Sequence, residues 1–300
     1  MKVKKVTRIL SIFFTLVLIN LSAYAKDNSS QNNKNFLWKV QSKTNTVYVL
    51  GSIHFMKKEV YPLSKEIESA FDKSNVLVVE ADVNDVSKID IEKLIRTAFY
   101  PENDSLQNHI SQETYGMVRK EFEVFGIPQV IADKQKPWIL ALTLESLELA
   151  RLGYDPNSGI DIYFLSKASG KKKIKELESI DYQINLLSGF SDNDQEAFLL
   201  YTLKDMGSLE KEVDTLMRAW KSGDTKSLES IITKNISEDR RLSSIYEKLL
   251  YERNTNMVSR IEGFLKTKET HFVIVGAGHL VGNKGIIEIL KKEGYLVEQL

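Results

Sequence analysis

VYVLGSIHF (Val47–Phe55) reads as a buried strand that runs into a glycine turn and ends on a histidine. The same grammar returns near the other end of the chain in FVIVGAGHLVG (Phe272–Gly282), where an apolar run is followed by Gly276 and then His279. Glycine just past a strand permits a tight turn and close approach of backbone, so each imidazole is expected beyond a strand's carboxyl end, where open α/β sheets keep their ligands. A third run, VLVVE (Val76–Glu80), has the β-branched, fully apolar character of a strand covered on both faces, and it finishes on Glu80 and then Asp82. If these three strands share one parallel sheet, His54, Glu80 and His279 converge at one edge of it, and two imidazoles with a carboxylate form a divalent-metal set. A lone histidine after a strand is ordinarily a hydrogen-bonded structural residue, and a lone acid there ordinarily caps a helix. The argument rests on the repetition.

Outward from these strands the chain organises simply. FLWKV (Phe36–Val40) precedes the first histidine strand across a polar turn at Gln41 to Asn45, which predicts an opening β-hairpin. Pro62 at a helix start and the apolar face Leu63, Ile67, Ala70 and Phe71 predict a crossover helix to VLVVE, so the two strands should be parallel and close together. From Val86 to about Ala168 the pattern is mostly helical, with Pro137 opening a long segment. Lys172 to Leu177 reads as another strand ending on an acid, Glu178. Helical patterns follow over Tyr182–Leu187, Glu196–Trp220 and Ser237–Lys266, with Asp224 as a cap, and the chain closes on the GAGHL strand, a helix from Lys284 to Lys292 and a short strand from Tyr295 to Glu298. The expected fold is α/β (α+β): a central mixed sheet formed from both ends of the chain, with a largely helical middle segment as a cap over it.

Composition narrows the chemistry. Lys2, Lys4, Lys5 and Arg8 precede an apolar run from Ile9 to Leu21, and Ala23-Tyr24-Ala25 has the small-x-small pattern of a signal-peptidase site. Residues 1–25 therefore read as an export signal, 26–35 as a disordered linker and 36–300 as the folded domain, which places the mature chain in the periplasm or outside the cell with no stable membrane span. There are no cysteines among 300 residues. Thiolate ligands, a cysteine nucleophile and disulfide staples are all excluded. The 41 basic residues balance 41 acidic ones, four of the basic ones lie in the signal, and the only basic run is Lys171–Lys173, so nucleic acid is not an expected partner. No Gly-x-Ser-x-Gly elbow and no His-Glu-x-x-His helix is present. His109 and His271 read as structural.

The chain resembles the TraB/GumN family, which is related to the Tiki proteins and carries a pair of Gly-x-x-His motifs. The resemblance runs through Trp38, Gly51–His54, Pro62-Leu63, Glu80, Lys136-Pro137-Trp138, Gly159-Ile160-Asp161, Leu177-Glu178, Gln183, Trp220 with Gly223-Asp224, Arg253-Asn254, Met257 and GAGHLVG. It implies a metallopeptidase-like activity on a peptide or small-molecule substrate, with a divalent ion (Mn, Co, Fe or Zn) held by His54, His279 and Glu80. Glu80 and Arg253 are the implied catalytic groups, Asp161, Glu178, Gln183 and Asn254 the supporting shell, and Gly51, Gly276, Gly278 and Gly282 the structural glycines. TraB-like proteins are also associated with shutting down peptide pheromones, so a protein that binds a peptide, metal or haem without turnover is the competing expectation. A distant similarity to the erythromycin-esterase group keeps ester hydrolysis open.

Overall fold

The computed structural model describes residues 34–233 and 240–300. The segment read as an export signal and most of the expected linker fall outside the described residues, as does the start of the helical pattern read from Ser237. Among the described residues no helix is long and apolar enough to cross a membrane.

The first two strands, β1 (Leu37–Gln41) and β2 (Thr46–Ser52), form the expected antiparallel hairpin, in register from Leu37 opposite Leu50 to Gln41 opposite Thr46. Ser42 closes the turn by accepting the Asn45 N–H on its hydroxyl. With β3 (Val76–Val79), β4 (Lys173–Glu176), β5 (His271–Gly276) and β6 (Leu296–Gln299) they make one six-stranded sheet in the order β4-β3-β5-β2-β1-β6. Strands β4, β3, β5 and β2 run parallel, whereas β1 is antiparallel to both β2 and β6. The sheet is thus mixed and drawn from both ends of the chain.

One detail goes beyond the sequence expectation. β2 and β3 are parallel, but they are not neighbours, because β5 from the far end of the chain lies between them. Local connectivity predicts only that the two strands are parallel and close together. Here the fully buried β5, apolar along its whole length after His271, takes the central place, as a strand covered on both faces should. The consequence is functional: Ser52 pairs opposite Gly276, so the two Gly-x-x-His segments leave the sheet side by side.

The helices are α1 (Lys65–Lys73), α2 (Ile91–Ala98), α3 (Gln112–Val124), α4 (Gln129–Asp133), α5 (Pro137–Arg151), α6 (Ile160–Ala168), α7 (Ile180–Ser188), α8 (Asp192–Asp205), α9 (Leu209–Lys221), α10 (Thr225–Thr233), α11 (Arg240–Tyr246), α12 (Glu252–Leu265) and α13 (Ile286–Lys292). Several begin on a side-chain cap, which satisfies an amide that the helix cannot. Ser64, Asp90, Ser111, Ser179 and Ser191 each accept an N–H from the first turn. Pro62, read as a helix start, instead precedes the Ser64 cap in a cis Tyr61–Pro62 bond. The long pattern ending at Lys266 is not one regular helix either, since a π-helical turn over Glu247–Tyr251 joins α11 to α12.

Packing follows from burial. Phe71 of α1, Phe164 of α6 and Phe272 of β5 meet with ring centroids 4.8, 5.6 and 5.0 Å apart and fix both helices to the sheet. α5 is buried on nearly all sides, as its apolar run WILALTLESLEL demands. The Trp220 indole of α9 donates to the Gly51 carbonyl at 2.7 Å, anchoring the helical middle to the end of β2.

Candidate active site at the carboxyl ends of the strands

His54 and His279 each stand just past a strand, and each has one ring nitrogen fixed. The start of α6 is clamped to the His54 segment: the Ile160 N–H donates to the Ile53 carbonyl at 3.1 Å, and a Cβ on Gly159 would stand 2.3 Å from the His54 carbonyl oxygen. That close approach delivers Asp161, in the first turn of α6, to His54 Nδ1 at 2.6 Å. His279 lies in the 3-10 turn Ala277–Leu280, and its Nδ1 donates to Asn254 Oδ1 at 2.6 Å. The Asn254 amide cannot be reversed, because its nitrogen donates to the Lys284 carbonyl at 2.8 Å. Both rings therefore carry their proton on Nδ1 and turn Nε2 to other uses.

Glu80 follows β3 directly and is buried. Its Oε1 accepts the Gly276 N–H at 2.6 Å, and its Oε2 accepts from Arg253 Nη2 at 2.6 Å and from Gln183 Nε2 at 3.3 Å. Glu178 comes to the same place because the Glu178 N–H donates to the Glu80 carbonyl at 2.7 Å, just past the paired ends of β3 and β4. Arg253 forks onto Glu178 as well, through Nε at 3.0 Å to Oε1 and Nη2 at 2.8 Å to Oε2, while its Nη1 donates to the Leu249 carbonyl. Gln183 bridges the two carboxylates, reaching Glu178 Oε2 at 3.0 Å. Arg253 is thus a buried double ion pair, rather than the solvated helix arginine that its spacing alone permits.

The centre of the group is Gly276. Glu80 Oε1, His279 Cδ2 and His54 Nε2 all lie within 4 Å of the point a Cβ there would occupy, and His279 Nε2 is 3.7 Å from Glu80 Oε1. Glycine leaves that point open. Of the other glycines singled out from the sequence, Gly51 has no room for a Cβ against the Phe36 ring, Gly282 has φ 81, and Gly278 lies within the His279 turn.

The ionisable groups differ sharply. Burial lowers the pKa of His279, the Arg253 charge lowers it further, and the ring is pushed down to about 3, so it is neutral. Burial acts the same way on His54, but the Asp161 carboxylate outweighs it and raises that ring above its ordinary value. For Glu80 burial favours the neutral acid, yet Arg253, the two histidines and the Gly276 N–H together hold it well below the usual carboxylate range.

Among the described residues no group of three or more His, Asp or Glu side chains stands in metal-ligating geometry. The donor chemistry nevertheless fits a cation in part. Each imidazole has its Nδ1 hydrogen bonded to an oxygen, the arrangement that orients histidine for binding through Nε2. Glu80 fits less well, since each of its oxygens already accepts a strong hydrogen bond.

His54, Glu80, Arg253 and His279 line one cleft of about 970 Å³, open mouth included, whose farther wall is apolar and includes Leu149, Leu187, Met217 and Ile232. His54, Glu80 and Asp161 also line a smaller crevice of about 350 Å³. Two polar residues of the cleft were given no role from the sequence. Ser52 has a buried hydroxyl with no hydrogen-bond partner, and Glu145 of α5 is a buried acid in an apolar helix; an acid inside WILALTLESLEL was the available signal. His109 pairs with Asp104 at 2.8 Å and stacks on Tyr100, and His271 bonds the Glu269 carbonyl at the opposite end of β5. Neither lines the cleft.

The fold and site define an α/β protein whose paired Gly-x-x-His turns meet around a buried carboxylate–arginine network. The profile of the TraB/PrgY/gumN family matches residues 36–299, and the chain belongs to that family. It is 23% identical to the Xenopus tropicalis protein named Metalloprotease TIKI1 over 91% of this chain and 63% of that protein. It is 24% identical to protein YbaP of Escherichia coli over 81% of this chain and 87% of that one, and 22% identical to an uncharacterized Treponema pallidum protein over 97% and 92%. The chain spans between 60% and 69% of the length of the Tiki relatives it matches. No solved structure matches it significantly.

Proposed function

We propose that this protein is a metal-assisted hydrolase of peptide bonds, working at the cleft floor between His54 and His279. The observation that carries this reading is the pair of imidazoles held at Nδ1 by Asp161 and Asn254 and gathered, with Glu80, around the open point at Gly276. A divalent ion on the two Nε2 atoms would supply an acidified water and a polarised carbonyl. The chain's own residues do the rest. His279, neutral and buried, keeps a lone pair on the site. Glu80 sets the negative potential of the floor, and its low basicity makes it a poor proton acceptor at neutral pH, so it serves charge and position better than proton transfer. Arg253 holds Glu80 and Glu178 in place with three of its donors. The Ser52 hydroxyl, buried without a partner, is available to a substrate oxygen. The name of the Tiki relatives supports the reaction class at low identity.

A second reading has one specific observation in its favour: the large apolar wall would retain a peptide without cleaving it. The two are separated by measuring bound Mn, Fe, Co and Zn by mass spectrometry, and cleavage of a peptide library, for wild type, His54→Ala and His279→Ala. Hydrolysis predicts about one equivalent of metal and substoichiometric turnover, both lost in either variant. Equal metal in all three proteins, with peptides recovered intact, would overturn it.

A further inference from the structure

We propose that the apolar cleft beyond the two imidazoles is a side-chain subsite for an aliphatic group ending in an amine or guanidine cation, and that Glu145 is the residue that meets the cation. This rests on reading the cleft as the place where substrate binds. Glu145 projects from α5 into the same cleft that His54 and His279 line, and it is 8% exposed. It has no hydrogen bond and no ion pair among the described residues. An acid in that position costs stability that neither a helix dipole nor a neighbour returns: α5 would be better served by leucine.

Charge decides the occupant. The ionisable neighbour that acts on Glu145 is Asp205, of the same sign, and Tyr246 stands within electrostatic reach of both. Arg253, the cation of the same cleft, is already committed to Glu80, Glu178 and the Leu249 carbonyl. A cationic ligand therefore finds in Glu145 a buried acid that no described cation engages, whereas an anionic ligand is opposed by it. The intervening wall of Leu149, Leu187, Leu216 and Met217 suits the methylene stem of a lysine-like chain, which buries its carbons while its charge seeks a partner. Sequence gave no sign of this beyond the acid itself, because the facing residues come from helices far apart in the chain.

The test is equilibrium binding of two uncharged-backbone probes, Nα-acetyl-lysine methylamide and its norleucine counterpart, to the full purified chain by titration calorimetry at pH 9, where a Glu145 carboxyl pushed up to about 8 is ionised and the lysine amine still carries its charge. Wild type is expected to bind the lysine compound at least about tenfold tighter than the norleucine one, a difference of about 1.4 kcal/mol. Glu145→Gln, nearly isosteric, should abolish that preference while keeping the wild-type circular dichroism spectrum and melting no lower than wild type. His54→Ala should retain the preference, since it leaves Glu145 untouched. Equal affinity for the two compounds, a preference that survives Glu145→Gln, or no binding of either overturns the proposal. Metal content and cleavage do not enter the measurement, so a protein without metal or turnover can still pass it, and an active peptidase can still fail it.

Discussion

At Gly276 a single methyl group separates architecture from chemistry. Its backbone, φ −50 and ψ 135, suits any residue, and an added Cβ would sit 3.4 Å from Glu80 Oε1 and 3.5 Å from His279 Cδ2, ordinary contact distances. Gly276→Ala is therefore expected to fold with a melting temperature within about 4 °C of wild type, equivalent to roughly 1–2 kcal/mol. It also fills the point that the imidazoles and Glu80 share, so the proposed peptide cleavage should fall by about a hundredfold or more, near 3 kcal/mol of barrier. A variant that unfolds, or one that cleaves normally, contradicts the geometry. Glu145 makes a separate prediction at the same scale. Burial first, and the Asp205 charge second, raise its pKa from 4.5 to about 8. The folded state thus keeps a proton that the unfolded chain releases, and Glu145 lowers stability progressively as pH rises from about 4.5 to 8, on the order of several kcal/mol at the upper end. Glu145→Gln should match wild type in urea denaturation at pH 5 and exceed it by about 2 kcal/mol or more at pH 9; an unchanged difference between the two pH values refutes the assignment. The histidines were legible because a repeated motif marks them, and Arg253 because a resemblance did. Glu145 belongs to no motif, and its meaning depends on which helices face it.

Among the elements, the contact between the start of α6 and the turn after β2 does most to shape the site. Both are short pieces of chain, about a hundred residues apart, and they are joined by a backbone hydrogen bond from Ile160 to Ile53 and by the near contact of Gly159 with the His54 carbonyl. No residue with a Cβ fits there without moving one segment away from the other. Gly159→Ala should therefore cost about 2 kcal/mol or more, as overpacking of a tight contact does, and should loosen the His54–Asp161 hydrogen bond. Denaturant unfolding measures the first effect; the downfield Nδ1–H proton resonance of His54, sharp in wild type and exchange-broadened in the variant, measures the second. Wild-type stability in the variant would mean that the two segments are not held in contact. Elements of this kind were partly readable. The strands β2, β3 and β5 announce themselves by apolar runs that end in glycine or acid, and the hairpin by its polar turn. The placing of β5 between β2 and β3 was not readable, since strand order across some two hundred residues is decided by burial of whole faces and not by local pattern. Nor was the π-helical turn at Glu247–Tyr251, because the apolar spacing of that segment is compatible with an unbroken helix.

The whole molecule is discontinuous in sequence and continuous in its sheet. β1, β2 and β3 come from the first third of the described chain, β5 and β6 from its end, and β4 from between the helical stretches. Because β5 is the middle partner of both β2 and β3, neither terminal half can form the sheet alone, and the carboxyl-end site needs both. The helical middle is tied in at two further places, by the Trp220 indole on the Gly51 carbonyl and by Arg253 on Glu80. Such cross-linking of distant segments predicts a single cooperative transition despite the chain's length. Trp38 in β1, Trp138 in α5 and Trp220 in α9 report on the sheet, the middle helices and the joint between them. Each should be followed separately in variants that keep one tryptophan. Their fluorescence and the far-ultraviolet circular dichroism should trace superimposable urea curves with one midpoint. An earlier midpoint for Trp138 would show that the helical middle melts as its own unit, and the cleft wall that carries Glu145 would then be separable from the floor that carries His54 and His279. One shared midpoint instead means that whatever stabilises the wall also stabilises the floor, so a ligand seated against Glu145 should raise the unfolding midpoint seen by all three tryptophans together.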